Sequence, residues 1–232
     1  KELCDLLTHD ENGEIRLSER LTGKDSYIEN YPHNCKALWQ DIALELQLFG
    51  GNTFANLFRH GRGPSYESIV YDVCREMKVE GIGAHDSVEE MERALLDKVT
   101  EKMLDELTPE QLKQVMAELN IKKRTYTKQA IMAALLLTRR INMRLYCYVM
   151  SYIIRLATNM LIGRGVLMAG VGLLSRGLSV MMGPVGWILL SGWTAWDIAG
   201  PAYRVTIPAV LQISFLRLKH EEVCETPKAL CV

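Results

Sequence analysis

The chain has 232 residues, of which 48% are hydrophobic and 24% are charged. This composition is typical of a globular protein and excludes a chain that is mostly disordered. Lysine and arginine together number 27, against 28 aspartates and glutamates, so the net charge is −1. A dedicated nucleic-acid-binding protein is usually basic overall, so we expect no nucleic-acid partner.

Charge is distributed unevenly along the chain. Residues 1–140 contain 19 basic and 24 acidic residues, whereas residues 141–216 contain five arginines and one aspartate in an otherwise apolar background. We therefore expect three parts: an acidic helical domain at 1–140, a basic hydrophobic hairpin and final helix at 141–220, and a tail at 221–232.

The six cysteines include no CxxC pair. Because the chain is not short and shows no secretion signal, we expect reduced thiols inside the cell, with disulfides as the alternative. The first residue is Lys1 rather than methionine, which predicts that further residues precede it.

Apolar residues recur at helical spacing in the N-terminal half. Residues 36–49 place four of them on one face and predict a helix: Leu38, Ile42, Leu46 and Phe49. We expect a left-handed glycine at Gly50 or Gly51 to end this helix. Ser65 is expected to cap a helix that runs to about Lys78.

Two capping boxes predict the next two helix starts. They are Ser87-Val88-Glu89-Glu90 and Thr108-Pro109-Glu110-Gln111, the second with proline at the first helical position. Thr127 opens a longer helical pattern that reaches about Met160. No run predicts a strand, so the fold class is all-α, a multi-helix domain with a glycine-rich hydrophobic helical hairpin in its C-terminal half.

The hairpin is predicted from an apolar run. The 20 residues 177–196 carry no charge, and as a helix they would span ~30 Å, the thickness of a bilayer core. Pro184 lies inside this run and cannot continue a helical hydrogen-bond ladder. We therefore predict two arms, at about 161–182 and 185–199, and a last helix at about 203–220.

Three interpretations of the hairpin compete. It is a buried core element, a membrane-associated element, or an element that converts between these two states. Small residues at four-residue spacing permit close helix packing in either environment, and tryptophans favour membrane interfaces as well as cores. The candidate hairpin residues are Gly165, Ala169, Arg176, Gly183, Pro184, Trp187, Trp193 and Trp196.

A second candidate set has a structural role. Tyr203 and Arg204 follow the hairpin, and an arginine in so apolar a setting needs an acceptor. Asp197 is the nearest acidic residue in sequence, so we predict that these three residues form a structural polar group.

Polar residues also concentrate between positions 50 and 72. They can cap helices and shape turns, as loops between helices commonly do, or they can form a surface for a partner or an anion. The candidate partner-binding residues are Gly50, Gly51, Asn52, Thr53, Asn56, Arg59, Tyr66 and Asp72.

No recognised catalytic constellation is present. The sequence lacks GxSxG, GxxxxGK[ST] and GxGxxG. The five histidines form no pair at metal-ligand spacing, and structural zinc needs four ligands. We therefore expect a protein that is not an enzyme, with no catalytic residues, no metal and no cofactor.

Blocks near both ends of the chain resemble the YaaW-like family of bacterial proteins. One is residues 45–53 together with Asn56, Arg59, Tyr66, Ile69, Asp72 and Val73; the others are Leu6-Leu7-Thr8-His9 with Gly13 and residues 16–18, and residues 202–213. Residues 80–160 match poorly. Part of this family has been grouped with ubiquinol–cytochrome c reductase assembly chaperones, so the resemblance implies a helical protein with an assembly role near a membrane.

Two functions are carried forward. The first is a non-enzymatic membrane-associating or pore-forming protein whose hairpin moves between protein-buried and lipid-embedded states. The alternative is a helical assembly chaperone that binds an apolar partner segment, with the 50–72 surface as the contact. The expected partners are membrane lipid or an apolar partner helix, and self-association into a homo-oligomer stays open. We expect the bacterial cytoplasm, with the chain peripheral to or inserted in the inner membrane.

Overall fold

The computed structural model describes residues 1–10, 13–16, 19–51, 63–119, 127–169 and 203–225. Within these ranges the chain forms α-helices and one short 3₁₀ helix, and its only extended pairing is an isolated bridge between His9 and Ile15. The predicted all-α class is therefore confirmed. The apolar run 177–196 lies outside the described residues.

The described helices are as follows, in chain order: α1 (Glu2–Thr8), α2 (Asp25–Asn30), the 3₁₀ helix (Cys35–Leu38), α3 (Trp39–Gly50), α4 (Tyr66–Glu76), α5 (Val88–Glu106), α6 (Pro109–Glu118), α7 (Lys128–Ile141), α8 (Met143–Ala169) and α9 (Tyr203–Glu225).

The predicted helix starts are confirmed because they depend on local chemistry. Ser87 accepts the backbone N–H of Glu90 while the Glu90 carboxylate accepts the N–H of Ser87, and Thr108 and Gln111 form the same reciprocal pair. The hydroxyl of Thr127 accepts the N–H of Ala130 at the start of α7.

The long helical pattern after Thr127 is two helices rather than one. Asn142 separates α7 from α8 with φ −145° and ψ 84°, outside the helical region. Its side-chain oxygen accepts the N–H of Leu145 at 3.0 Å, so it caps α8. Helix α8 then continues through Met160 to Ala169, so the expected boundary near residue 160 is not a helix end.

The chain forms two compact units. The first comprises residues 1–76 and 160–210, and the second comprises residues 77–159 and 211–232. Helices α8 and α9 each contribute residues to both. The three-part division expected from composition concerns charge and hydropathy rather than contacts, and it stays a prediction.

The first unit contains a small core beneath α1 and α2. It consists of buried Cys4, Leu21, Tyr27 and Leu38, with Tyr31, Cys35 and Ile42 packed against them. Helix α3 contributes Leu46 and Phe49 to the buried apolar residues. The helical spacing read from the sequence therefore describes the inward side of α3 correctly.

A carboxylate is also buried in the first unit. Glu45 is 1% exposed, and its Oε1 accepts the backbone N–H of Arg20 at 2.9 Å. Burial raises the pKa of Glu45, although the bond from Arg20 opposes this shift. Because the folded pKa is raised, the protonated form favours folding, and that contribution is lost as the pH rises through the raised value.

We expect Glu45→Gln to become more stable than the wild type as the pH rises from the ordinary glutamate pKa through the raised pKa of Glu45. At lower pH, where Glu45 is protonated, the variant should lose this advantage. Glutamine keeps an acceptor for Arg20 but carries no charge that burial penalises. Glu45→Ala is the control, since losing the hydrogen bond should cost ~1 kcal/mol or more. Urea unfolding across pH measures both; a glutamine variant that is less stable at every pH would contradict this account.

In the second unit, α5 supplies a long apolar stripe. Its buried residues recur every three or four positions and include Met91, Leu95, Val99 and Met103. The hydroxyl of Thr100 lies 3.6 Å from the sulfur of Met150 on α8, and the Cys147 thiol lies 3.9 Å from the carbonyl oxygen of Leu218 on α9. Within this unit, α5, α8 and α9 therefore share one core.

An ion pair joins α5 to α9 at the edge of this core. The Nε–H of Arg217 donates to the carboxylate of Glu92 at 2.7 Å, and Nη1 donates to Glu89 at 3.2 Å. The Glu92 side chain is 3% exposed, whereas the Arg217 side chain is 40% exposed. A buried carboxylate that loses its cationic partner is costly.

We expect Arg217→Met to lower the free energy of unfolding by roughly 2–4 kcal/mol, because methionine keeps an apolar stem but leaves the buried Glu92 carboxylate without its guanidinium. Arg93→Met is the matched control, since its pair with Glu221 is exposed and should contribute at most ~1 kcal/mol. Urea unfolding compares the two variants. Equal effects would contradict the special role of Arg217, and Glu92→Leu in the Arg217→Met background should recover stability.

Candidate partner-binding site

The predicted 50–72 surface begins where α3 ends. Gly50 is buried as the last residue of α3, and Gly51 follows with φ −91° and ψ 145°. The expectation of a left-handed glycine cap is therefore wrong. A Cβ atom at Gly50 would lie 2.6 Å from both Cγ1 and Cδ1 of Ile69, so this glycine allows α4 to approach α3 closely.

A second glycine serves the same packing. A Cβ atom at Gly63 would lie within 3 Å of the backbone of Gln47, in the last turns of α3. The chain therefore leaves α3 at Gly51 and returns against it at Gly63. Four of the candidate residues between these points lie outside the described residues: Asn52, Thr53, Asn56 and Arg59.

We expect Gly50→Ala to destabilise the protein by roughly 1–3 kcal/mol through overpacking against Ile69, even though alanine favours a helix over glycine by ~1 kcal/mol. Gly23→Ala is the control, because the nearest atom to its Cβ would be 4.0 Å away. Thermal unfolding measures both. Ile69→Ala should cost less in the Gly50→Ala background than in the wild type, and strictly additive effects would show that the contact does not matter.

Asp72, another of the candidate partner-binding residues, lies near Tyr203 from the C-terminal half of the chain. Burial raises the pKa of Asp72 on α4, with Arg75 acting in the opposite direction. Burial and the charges of Asp72 and Glu76 raise the pKa of Tyr203 to about 12. The structure therefore brings Asp72 near Tyr203, whereas Arg204 is exposed; Tyr66 lies half-buried at the start of α4.

Two of the candidate hairpin residues lie in the described ranges. Gly165 and Ala169 belong to the last turns of α8. The others lie between residues 170 and 202, outside the described ranges: Arg176, Gly183, Pro184, Trp187, Trp193, Trp196 and the polar Asp197. Of the helices that are described, none contains an apolar stretch long enough to cross a bilayer.

An exposed apolar face on α7 was missed in the sequence. Its large side chains are Leu136, Leu137 and Ile141, which are 41%, 57% and 74% exposed. Ala133, one turn before Leu137, is also exposed, and these four residues are called the α7 face below. Leu137 and Ile141 are four positions apart, so they are neighbours on the helix surface.

The opposite side of α7 explains this exposure. Ile131 and Leu135 are each 1% exposed, and α7 packs against α5. A stripe at four-residue spacing covers one side of a helix, and Leu137 projects almost directly away from Leu135 at 100° per residue. The only available signal was the Leu135-Leu136-Leu137 run, in which three consecutive residues cannot all face the same neighbour.

Basic residues predominate in the segment that carries the α7 face. Residues 127–158 contain five basic residues and no aspartate or glutamate, although Lys128 forms an ion pair with Asp105 of α5. Arg140 and Arg144 are exposed at the end of α7 and the start of α8, and Tyr148, 58% exposed, lies one turn further. Arg139 is turned inward instead, with its guanidinium 5.9 Å from the ring centre of Tyr146.

Metal binding finds no support in the ranges that the structure describes, which contain no group of three or more His, Cys, Asp or Glu side chains placed to hold an ion. Several buried polar groups there have structural partners. Examples are Thr8, whose hydroxyl donates to the carbonyl oxygen of Cys4, and Glu92 with Arg217. The α7 face is thus the most distinctive candidate for a binding site.

Comparison with known proteins identifies a family. The profile of the family described as ubiquinol-cytochrome C chaperone matches residues 36–211. A UPF0174 protein of Helicobacter pylori strain J99 is 37% identical over 99% of this chain and 90% of its own length. The UPF0174 protein YaaW of Escherichia coli strain K12 is 36% identical over 91% of this chain and 85% of its own length. No solved structure matches the chain.

The chain belongs to the ubiquinol-cytochrome C chaperone family and groups there with the UPF0174 proteins. The resemblance to YaaW-like proteins, predicted from the terminal blocks, is confirmed. The matched relatives are bacterial, and the matching family is described as a chaperone family. These findings favour the chaperone interpretation over the membrane interpretation.

Proposed function

We propose that this protein is a helical assembly chaperone that binds an apolar helix of a partner protein on the α7 face. The observation that carries the proposal is the exposure of three large aliphatic side chains on α7 in a chain of this family. Contiguous exposed apolar residues on a folded protein commonly mark interaction sites.

The shape of the face suits a helix. Leu137 and Ile141 form a ridge at four-residue spacing, with Ala133 one turn before them. Ridges of this spacing pack into the grooves of a second helix. Fully burying a leucine or isoleucine side chain contributes ~1.5–3 kcal/mol, so Leu137 and Ile141 are the expected anchors of such a complex.

Charge narrows the class of partner. Arg140 and Arg144, both exposed, lie beside the ridge at the end of α7 and the start of α8. A partner helix with acidic residues beside its apolar stripe would meet complementary charge, which speeds association and sets orientation. A partner helix with basic flanks would be repelled. The proposed partner is therefore an apolar helix with acidic flanks.

We expect the purified chain to bind a synthetic amphipathic helix with glutamate flanks more tightly than the same helix with lysine flanks. Leu137→Asp and Ile141→Asp should each lower the affinity for the glutamate-flanked peptide by roughly tenfold or more, since each removes an anchor and adds a repulsive carboxylate. Arg140→Glu should reduce the preference between the two peptides. Fluorescence anisotropy of the labelled peptides measures all three effects.

Ile28→Asp is the matched control, because Ile28 is 69% exposed on α2 in the first unit. It should bind the peptide like the wild type. Equal binding by the wild type and both α7 variants would exclude this face as the site. If the wild type self-associates in size-exclusion chromatography and both variants do not, the face is an interface between copies of this chain instead.

The membrane-associating or pore-forming interpretation makes an opposite prediction. Its hairpin lies mostly outside the described residues, and the family description gives it no support. Dye-filled anionic vesicles discriminate between the two. Leakage or binding by the wild type, unchanged in Leu137→Asp and without peptide binding, would favour the membrane interpretation over the chaperone.

A further inference from the structure

Helix α1 is held against the segment that precedes α3. The hydroxyl of Tyr31 donates to Oδ1 of Asp5 at 2.7 Å, and the rings of Tyr27 and Tyr31 stack with their centres 4.7 Å apart. Cys4 is buried beside Tyr27, and Cys35 packs on the same cluster. These contacts fix α1 relative to the 3₁₀ helix.

This arrangement brings two thiols into one packed cluster. Cys35 packs against the buried group that contains Cys4, and it lies near enough to raise the pKa of the Cys4 thiol. The Cys35 thiol donates to the carbonyl oxygen of Pro32, at 3.6 Å. Cys4 is fully buried, whereas Cys35 is partly exposed. Cys35 is therefore the more accessible residue of the pair, and Cys4 belongs to the core on which it packs.

We propose that Cys4 and Cys35 form a reversible intramolecular disulfide when the chain meets a peroxide oxidant. The accessible Cys35 sulfur, as thiolate, attacks one peroxide oxygen, which gives a sulfenic acid and releases one water. The Cys4 thiolate then attacks the Cys35 sulfur, the S–O bond breaks, and a second water leaves. Two thiols are oxidised by two electrons, and one hydrogen peroxide is reduced to two waters.

The surroundings assign the order of these steps. Thiolate is the attacking form, and burial together with the neighbouring Cys35 raises the pKa of Cys4 to about 11. Buried Cys4 is therefore a poor first target and is suited to the second step, where Cys35 is already oxidised and adjacent. The resulting bond would tie α1 to the 3₁₀ helix across the chain between positions 4 and 35.

Peroxide treatment of the dilute full-length chain, followed by non-reducing trypsin digestion and mass spectrometry, tests the proposal. We expect peptide 2–16 to be joined to peptide 25–36, with the intact monomer lighter by two hydrogen atoms and the link reversed by a thiol reductant. Linkage should be faster as the pH rises towards the pKa of Cys4.

Variants keep the result interpretable. Cys4→Ser should leave a Cys35 sulfenic acid that dimedone traps, and Cys35→Ser should abolish the link, whereas Cys74→Ser should retain it. The wild-type chain alone is sufficient to overturn the proposal. If Cys35 is overoxidised or joins another cysteine while peptide 2–16 remains unlinked, the pair is not a disulfide site.

Discussion

Helix α7 carries more aliphatic surface than its packing against α5 can cover. Ile131 and Leu135 fill the inward side, and Leu136, Leu137 and Ile141 are left partly in water. An amphipathic surface helix normally places polar residues there. This excess of apolar surface, beside the exposed Arg140 and Arg144, is the constraint from which the proposed function follows.

Features set by a few neighbouring residues could be predicted from the sequence. The capping boxes at Ser87 and Thr108 are examples, because a hydroxyl and a side chain three residues later satisfy each other without help from the rest of the fold. The inward positions of α4 were also predictable, since Ile69, Val73 and Met77 recur at helical spacing and are all buried.

Features that depend on a distant neighbour could not be predicted. Gly50 has the sequence context of a helix-ending glycine, but its role is set by Ile69, which approaches from another helix. Similarly, the sequence does not indicate which of the three consecutive leucines at 135–137 faces α5. Asn142 could have been read as a cap from its residue type, but the apolar pattern continues on both sides and conceals the break. The candidate residues at 52–59 and 176–197 stay predictions.

The two sites proposed here lie in different units and depend on different physics. The thiol pair is specified by local packing, in which the bond from Tyr31 to Asp5 and the small core hold Cys4 and Cys35 in one cluster. The α7 face, by contrast, is an apolar helix surface that stays exposed on the side away from α5. Coupling between two sites requires an element with two distinct arrangements. Oxidation at Cys4 and binding at α7 are therefore separate properties of the chain, each tested by its own experiment.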